Sequence, residues 1–463
     1  MQEKNKNIIT RRKFLKVFGG GTTVAATALY GCSSKETEAY KNVPTDKMTY
    51  RINPSTGDKV SILGYGCMRL PTVQGKDNEI DQNTVNKLTD YAIAHGVNYF
   101  DTSPAYCQGH SEEAMGNALS RHPRNKYFVA TKLSNFDPAS WSREASMEMY
   151  HNSFKKLKVE YIDYMLLHGI GMGGRGSTDM SGMDAFKGRY IDNGMLNFLL
   201  EERKAKRIRN LGFSYHGDVK VFDYLLSTNI KWDFVQIEMN YVDWKHAKES
   251  SPFNTNAEYL YGELKKRHIP AVIMEPLLGG RLANLNHSAM ELLKQMNPDA
   301  TIASWAFRFA GSSPGVLTVL SGMTYMENLQ DNICTYSPLK TLSSKEQNTL
   351  EKVARLMLDL PLIPCNACQY CMPCPYGLDI PGIFVHYNKC LNEGNYSKNA
   401  VDKNYSEARR AFLIGYDRSV PKLRQADHCT GCGKCMPHCP QSIDIPKTMQ
   451  SIDHYVNELK LNV

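Results

Sequence analysis

The sequence predicts an α/β protein in which a (β/α)8 TIM barrel is followed by a small, mainly helical domain. Three observations support this fold class. Short apolar runs alternate with helical patterns from about residue 50 to residue 336, as expected of parallel strands with crossover helices. The 463 residues are enough for two domains. Eight of the thirteen cysteines fall into two short runs, 365–374 and 429–439, which sets the C-terminal part apart from the rest.

Eight strands and the helices between them account for the barrel. We predict strands over 62–66, 98–102, 127–132, 162–168, 210–214, 234–240, 271–275 and 316–321, with helices such as 82–95, 112–120 and 142–156 between them. The segment 50–60, centred on the turn residues 55–58, predicts a β-hairpin that closes the bottom of the barrel. Any catalytic side chains are then expected at the C-terminal ends of the strands.

The overall composition excludes some classes of function. An apolar fraction of 42% with 22% charged residues is ordinary for a globular protein. The formal net charge is +8, but six Lys or Arg and one acid precede Cys32, so about +3 remains without that segment. This charge is too small to indicate nucleic-acid binding.

The N-terminal residues predict a signal sequence for protein export. Residues 10–16, TRRKFLK, match the twin-arginine pattern, and the weakly apolar stretch 17–30 is too short to span a bilayer comfortably. Cleavage after the small residues 26–28 would release a soluble protein, whereas Cys32 could instead be lipidated and become the mature N-terminus. Both processing routes stay open, so we expect localisation to the periplasm or to a membrane-anchored lipoprotein.

Four side chains capable of acid–base chemistry follow the predicted strands. Asp101 and Tyr106 lie at and just beyond the second strand, Lys132 ends the third, and His168 ends the fourth. In this set the sequence resembles the aldo/keto reductase family over about residues 50–336. The resemblance implies that Tyr106 is the acid–base group, that Lys132 lowers its pKa, that Asp101 balances the lysine, and that His168 orients a carbonyl.

The same resemblance implies a nicotinamide dinucleotide, NAD(P)H. Ser214 and Gln236 match positions that bind the carboxamide, whereas Ser321, Gly322, Asn328 and Asn332 match the pyrophosphate and adenine segment. Residues 274–277, MEPL, replace the family's usual Tyr-Ser-Pro-Leu, so the aromatic side chain that stacks on nicotinamide is absent. No cation is positioned to bind a 2′-phosphate, and the sequence does not choose between NAD and NADP.

Two cysteine runs indicate metal clusters. The first has the spacing C-x2-C-x2-C-x2-C-P and the second C-x2-C-x2-C-x3-C-P, and the second matches bacterial ferredoxins. By the ferredoxin rule one [4Fe-4S] cluster is held by Cys365, Cys368, Cys371 and Cys439, and a second by Cys374, Cys429, Cys432 and Cys435. Equivalent cysteines of the two runs are about 65 residues apart, a separation that resembles that of helical two-cluster ferredoxins. Zinc held by the four thiolates of each run is the alternative.

Together these patterns predict an exported oxidoreductase. We divide the chain into a signal (1–31), a tether (32–48), the barrel (49–337), a connecting helix (338–364) and a ferredoxin-like domain (365–463). The expected substrate is a small carbonyl or alcohol, with a redox protein or a membrane electron donor as partner. Two alternatives remain: an exported iron–sulfur electron carrier whose barrel is only a docking scaffold, or clusters whose role is purely structural.

Overall fold

The computed structural model describes residues 43–461, apart from 75, 77, 78, 174–179, 251–253 and 398. The predicted twin-arginine motif and Cys32 therefore lie outside the described residues. Eight parallel strands close into a barrel in the order β10-β3-β4-β5-β6-β7-β8-β9. They span Leu63–Gly66 (β3), Tyr99–Asp101 (β4), Phe128–Leu133 (β5), Ile162–Ile170 (β6), Ile208–Tyr215 (β7), Phe234–Glu238 (β8), Ala271–Met274 (β9) and Val316–Ser321 (β10). The predicted (β/α)8 fold class is confirmed.

A hairpin precedes the barrel, as the turn residues predict. Tyr50–Ile52 (β1) pairs antiparallel with Lys59–Ser61 (β2). The buried amide of Asn53 donates hydrogen bonds to the hydroxyl of Tyr164 and to Oδ1 of Asn210, at 3.1 and 3.0 Å. Both acceptors lie near the starts of their strands, so the hairpin closes the N-terminal end of the barrel, opposite the expected site.

Helices surround the strands and form the outer layer. They span Gln82–Ala94 (α1), Ser111–Leu119 (α2), Arg143–Leu157 (α3), Gly182–Phe186 (α4), Met195–Lys204 (α5), Val219–Ser227 (α6), Asp243–Ser250 (α7), Ala257–Lys266 (α8), His287–Met296 (α9), Ile302–Ser312 (α10) and Met326–Tyr336 (α11). Side-chain caps begin several of them; Ser142, for example, accepts a hydrogen bond from the backbone of Ala145 at the start of α3. Apolar side chains of strands and helices form one continuous core between the two layers.

A connecting helix and three further helices complete the chain. Ser344–Leu358 (α12) begins with a capping box and packs on α9 through a separate apolar cluster. Ile380–Asn392 (α13), Tyr405–Ser419 (α14) and Ile445–Leu461 (α15) share a core that includes Phe384, Phe412 and Met449. This C-terminal domain therefore has its own core, with most of the clustered cysteines packed against it. Within the described ranges, no helix is both long and apolar enough to cross a membrane.

Candidate active site

The four predicted acid–base side chains come together at the C-terminal end of the barrel. Asp101 ends β4, Tyr106 begins the short turn after it, Lys132 lies in β5 and His168 in β6. Nζ of Lys132 is 2.5 Å from Oδ1 of Asp101 and 4.7 Å from the centre of the Tyr106 ring. The rings of Tyr106 and His168 are 5.7 Å apart and nearly perpendicular. Strand topology alone has assembled residues that are up to 67 positions apart in the chain.

Two serines that sequence reasoning missed hold the imidazole of His168. Oγ of Ser134 is 2.6 Å from its Nδ1, and Oγ of Ser103 is 3.3 Å from the same atom. The two hydroxyls are also 2.8 Å from each other. These contacts fix the plane of the imidazole ring. The signal was present in the sequence, because both serines follow strand ends as the acid–base residues do.

A turn of π-helix supports the backbone at the same place. In Lys187–Ile191, buried Arg189 donates to the carbonyl of His168. The hydroxyl of Tyr190 accepts from the His168 backbone N–H at 2.9 Å and donates to the carbonyl of Leu133 at 2.8 Å. The segment thus ties the ends of β5 and β6 together, in keeping with the frequent occurrence of π-turns at functional sites.

Burial dominates the ionisation of the site. Burial, and then the neighbouring phenol of Tyr370, raises the pKa of Tyr106 well above its ordinary value. The ammonium of Lys132 is 4.7 Å from the centre of the Tyr106 ring and is paired with Asp101, and the expectation that it lowers the pKa of Tyr106 stays a prediction. Burial also lowers the pKa of Lys132, while Asp101 acts against that shift. Tyr106 is consequently protonated at neutral pH and suited to donate a proton.

A cavity of about 200 Å³ opens above these residues. Asp101, Tyr106 and His168 line it together with the predicted carboxamide ligands Ser214 and Gln236. Oε1 of Gln236 is buried without a hydrogen-bond partner, and a buried carbonyl oxygen in that state favours a bound donor. The nicotinamide end of a dinucleotide therefore fits the residues present.

The predicted pyrophosphate and adenine residues are only partly in this wall. Ser321 and Gly322 line the cavity. The amide of Asn332 instead donates to Oγ of Ser321 at 2.9 Å, inside the protein, and Asn328 is exposed on α11. The structure thus brings Ser321 and Gly322 to the site and leaves a direct contact by Asn328 or Asn332 as a prediction.

Two carboxylates that the sequence did not single out as ligands also line the cavity. Oε1 of Glu238 is 3.4 Å from Nδ1 of His216. Glu275, at φ +52°, accepts a hydrogen bond from the Gly279 backbone at 2.7 Å. Burial raises the pKa of Glu275, although nearby Arg69 acts in the opposite direction. The two carboxylates disfavour the binding of an anionic group in this part of the cavity, unless a basic side chain such as Arg69 shields its charge.

The clustered cysteines form two groups that cross between the two runs. One small cavity is lined by the inner set, Cys365, Cys368, Cys371 and Cys439. A second small cavity is lined by the outer set, Cys374, Cys429, Cys432 and Cys435. Each set takes three thiols from one run and one from the other, which is the grouping that the ferredoxin rule predicts.

The grouping of these thiols fits iron–sulfur clusters better than zinc held within one run. A tetrathiolate zinc site within one run would bring the four sulfurs of that run to one point, whereas each cavity is lined by three thiols of one run and one of the other. Burial raises the pKa of Cys365 to about 11 and that of Cys368 to about 12. Buried thiols of this kind become thiolates only when a cationic centre compensates for burial.

The C-terminal domain contacts the barrel at the rim of the active-site cavity. Arg69 donates to the carbonyl of Asn366. The Asn366 backbone also lies so close to Gly279 that a Cβ there would be 2.3 Å from its carbonyl oxygen. Cys368, Tyr370 and Pro440 of this domain line the same cavity as Tyr106. The inner set is therefore adjacent to the acid–base residues.

A (β/α)8 barrel with these acid–base groups at its C-terminal end defines an oxidoreductase, and comparison with known proteins specifies which kind. A profile of the aldo/keto reductase family matches residues 62–355, and a profile of the 4Fe-4S dicluster domain matches residues 364–445. The chain belongs to the aldo/keto reductase family and carries a C-terminal 4Fe-4S domain. These matches support nicotinamide and iron–sulfur cofactors, a small-molecule substrate and a redox partner.

Individual relatives agree with this assignment. L-galactose dehydrogenase of Arabidopsis thaliana is 26% identical over 328 residues, covering 67% of this chain and 95% of the relative. An uncharacterized oxidoreductase of Bacillus subtilis is 26% identical over 332 residues, covering 64% and 96%. A solved aldo-keto reductase from Bacillus halodurans superimposes with a TM-score of 0.50 at 21% identity, covering 66% of this chain and 96% of that one, which shows a shared fold.

Proposed function

We propose that the protein interconverts a carbonyl and an alcohol at Tyr106 and that two [4Fe-4S] clusters relay electrons between this site and a partner. The main support for the proposal is that Cys368 of the inner set lines the same cavity as Tyr106 and His168. A reduced nicotinamide supplies a hydride, and iron–sulfur clusters supply single electrons.

The residues of the chain provide the proton and the orientation. Tyr106 is held protonated by burial and is suited to give its proton to the oxygen of a carbonyl under reduction. His168, fixed by Ser134 and Ser103, contributes a polar edge to the same cavity, where the carbonyl oxygen would be held.

The outer set supports a route for electrons to and from the surface. Cys432 is exposed, whereas Cys368 faces the active-site cavity. Two clusters placed at these sets would extend from the solvent to the acid–base residues. Together they would hold two electrons, which with one proton would return an oxidised nicotinamide to its reduced form. A separate redox protein is thus the partner that this arrangement fits.

The substrate class and the location are also proposals. The similarity to L-galactose dehydrogenase and the hydrogen-bonding side chains Glu238, Glu275 and His216 in the cavity favour a hydroxylated carbonyl compound such as a sugar. Residues 10–16 favour export by the twin-arginine route, which transports folded proteins and so suits a protein whose clusters are inserted in the cytoplasm.

Electron paramagnetic resonance during turnover tests the proposal. The full chain, purified anaerobically, is mixed with a panel of aldehydes, ketones and sugars together with NADH or NADPH, and nucleotide oxidation and the signal of reduced clusters are followed together. We expect substrate-dependent changes in both, with the turnover-linked signal lost in Tyr106→Phe. Turnover with silent clusters would mean that the clusters are structural. Clusters that exchange electrons with a protein donor, without any turnover, would favour the electron-carrier alternative.

A further inference from the structure

The C-terminal domain places an aromatic side chain in the wall of the cavity, beside the acid–base residues. Tyr370 stands between the inner-set cysteines Cys368 and Cys371 and lines the cavity with Tyr106 and His168. Its phenol is close enough to Tyr106 to be the second cause, after burial, of the raised pKa of Tyr106. The barrel itself does not provide this ring, which belongs to the C-terminal domain and follows Gly322, the last barrel residue in the cavity wall, by 48 residues.

A chain of ring contacts links Tyr370 to the imidazole that faces the substrate. The Tyr370 ring is 6.3 Å from Phe136, and Phe136 is 4.7 Å from His168. Phe136 is only 7% exposed and has the guanidinium of Arg189 at 4.9 Å from its ring. Phe136 is therefore held in place by its neighbours, and the Tyr370 ring packs against it.

The loop that carries Tyr370 is shaped by the inner set. Ala367 and Gln369 have φ values of +49° and +62°, a left-handed conformation that non-glycine residues rarely adopt without support. These two residues flank Cys368. If Cys368 binds a cluster, the loop that wraps around that cluster is therefore the segment that positions Tyr370. Without that attachment, nothing in the local sequence favours two left-handed residues.

We propose that Tyr370 is the lid of the substrate site and that ligation of the inner cluster on both sides of it sets the size of substrate admitted. The inference rests on the proposed carbonyl chemistry for its kinetic test but not for its binding test. The lid restricts the site to compact carbonyl compounds and excludes those with a bulky aromatic substituent. Assembly of the inner cluster thereby becomes a condition for selective binding in the barrel, whether or not the cluster carries electrons.

Substitution of the ring tests the lid directly. We compare Tyr370→Ala and Tyr370→Phe with the matched control Tyr376→Ala, whose side chain is 51% exposed and follows Cys374 in the same domain. The measured quantity is kcat/KM for an unbranched aliphatic aldehyde and for its phenyl-substituted analogue. In Tyr370→Ala the ratio should shift toward the bulky aldehyde by about 10-fold or more, mainly through KM. Tyr370→Phe and Tyr376→Ala should keep the wild-type ratio, and all three should keep their iron.

Equilibrium binding keeps the test independent of turnover. Propionamide and 3-phenylpropionamide, which are uncharged, serve as calorimetric probes of the cavity, and the ratio of their dissociation constants should change in Tyr370→Ala in the same direction. An inactive wild-type protein that shows this change would refute the carbonyl chemistry and retain the lid. An unchanged ratio in Tyr370→Ala with normal iron content would overturn the lid.

A second pair of variants tests the role of the cluster. Cys439→Ser removes an inner-set thiol that is remote in sequence from the Tyr370 loop, and Cys432→Ser removes an outer-set thiol. We expect Cys439→Ser to change the ratio of the two probes' dissociation constants as Tyr370→Ala does, and Cys432→Ser to keep the wild-type ratio. An equal change of this ratio in both variants, with the barrel shown to be folded by circular dichroism, would contradict control by the inner cluster.

Discussion

Nζ of Lys132 lies 2.5 Å from Oδ1 of Asp101, and both side chains are almost completely shielded from water. The carbonyl of Thr102 accepts a second hydrogen bond from the ammonium at 2.8 Å, whereas Oδ2 of Asp101 has no partner. This buried pair is the centre of the acid–base site, and its removal should affect both stability and chemistry.

The first prediction concerns that pair. Lys132→Met should lower the free energy of unfolding by about 3–5 kcal/mol, because it leaves a buried carboxyl group without its cation. The double variant Asp101→Asn with Lys132→Met should recover part of this loss, since neither charge then remains. Urea denaturation followed by circular dichroism measures both effects. If the double variant instead has a lower free energy of unfolding than Lys132→Met, the two side chains contribute to stability independently.

The second prediction concerns the proton donor. Tyr106→Phe keeps the ring and removes the hydroxyl, so carbonyl reduction should fall by about 10²- to 10⁴-fold with nucleotide binding nearly unchanged. Adding Lys132→Met should reduce activity little further, as expected of residues that act as a unit. Steady-state kinetics and nucleotide titration supply the two readouts. Full activity in Tyr106→Phe on a broad aldehyde and ketone panel would show that the four residues are idle.

The third prediction concerns cluster content. Anaerobically purified protein should contain about eight irons and eight acid-labile sulfides, four of each per cluster. Cys432→Ser, in the outer set, should retain about four of each and leave the barrel folded, because the two domains have separate cores. Iron and sulfide assays decide the matter, and zinc without sulfide would refute the cluster assignment.

The fourth prediction concerns acid stability. His386 is 4% exposed, and burial lowers its pKa to about 4, below the value of about 6.5 expected in the unfolded chain. The neutral ring therefore stabilises the C-terminal domain above pH 6.5, and this contribution, up to about 3 kcal/mol, is lost as pH falls toward 4. His386→Gln, which can still donate to the Phe412 carbonyl, should flatten the dependence between pH 6.5 and 4. His454→Gln, at an exposed position in the same domain, should leave the curve as in the wild type.

The fifth prediction concerns export. Replacing Arg11 and Arg12 together by Lys should retain the precursor in the cytoplasm, because the paired arginines are the recognised feature of the motif. Cell fractionation measures this, and normal export of the double variant would make the motif irrelevant. Mass spectrometry of the mature protein separates the two processing routes: a diacylated Cys32 indicates a lipoprotein, and a start at Leu29 a soluble protein.

The fold could be predicted from the sequence because its signals are local and repeated. Apolar runs of strand length, such as 162–168, mark positions buried on both faces, and parallel strands must meet at one end of a barrel. Asp101, Lys132 and His168 could therefore be placed together from their positions at strand ends. Cysteine spacing likewise indicated which thiols share a cavity.

Other parts of the site depend on contacts between distant segments. Nothing near Tyr370 in the sequence indicates that its ring reaches Phe136, and nothing near Asn366 indicates the contact with Gly279. The distance of 4.7 Å between Nζ of Lys132 and the centre of the Tyr106 ring likewise could not be read from the sequence, and the influence of Lys132 on the pKa of Tyr106 stays a prediction. Such distances follow from packing, which spacing along a chain does not encode.

The crossing of the two cysteine runs also governs how the C-terminal domain comes apart. A cluster on the inner set would join residue 365 to residue 439, and one on the outer set would join residue 374 to residue 429, with α13 and α14 enclosed between them. Such a doubly cross-linked loop has few open conformations available to it. Proteases should therefore cut this domain in all-or-none fashion, sparing the holoprotein and digesting the segment between the runs once iron is withdrawn.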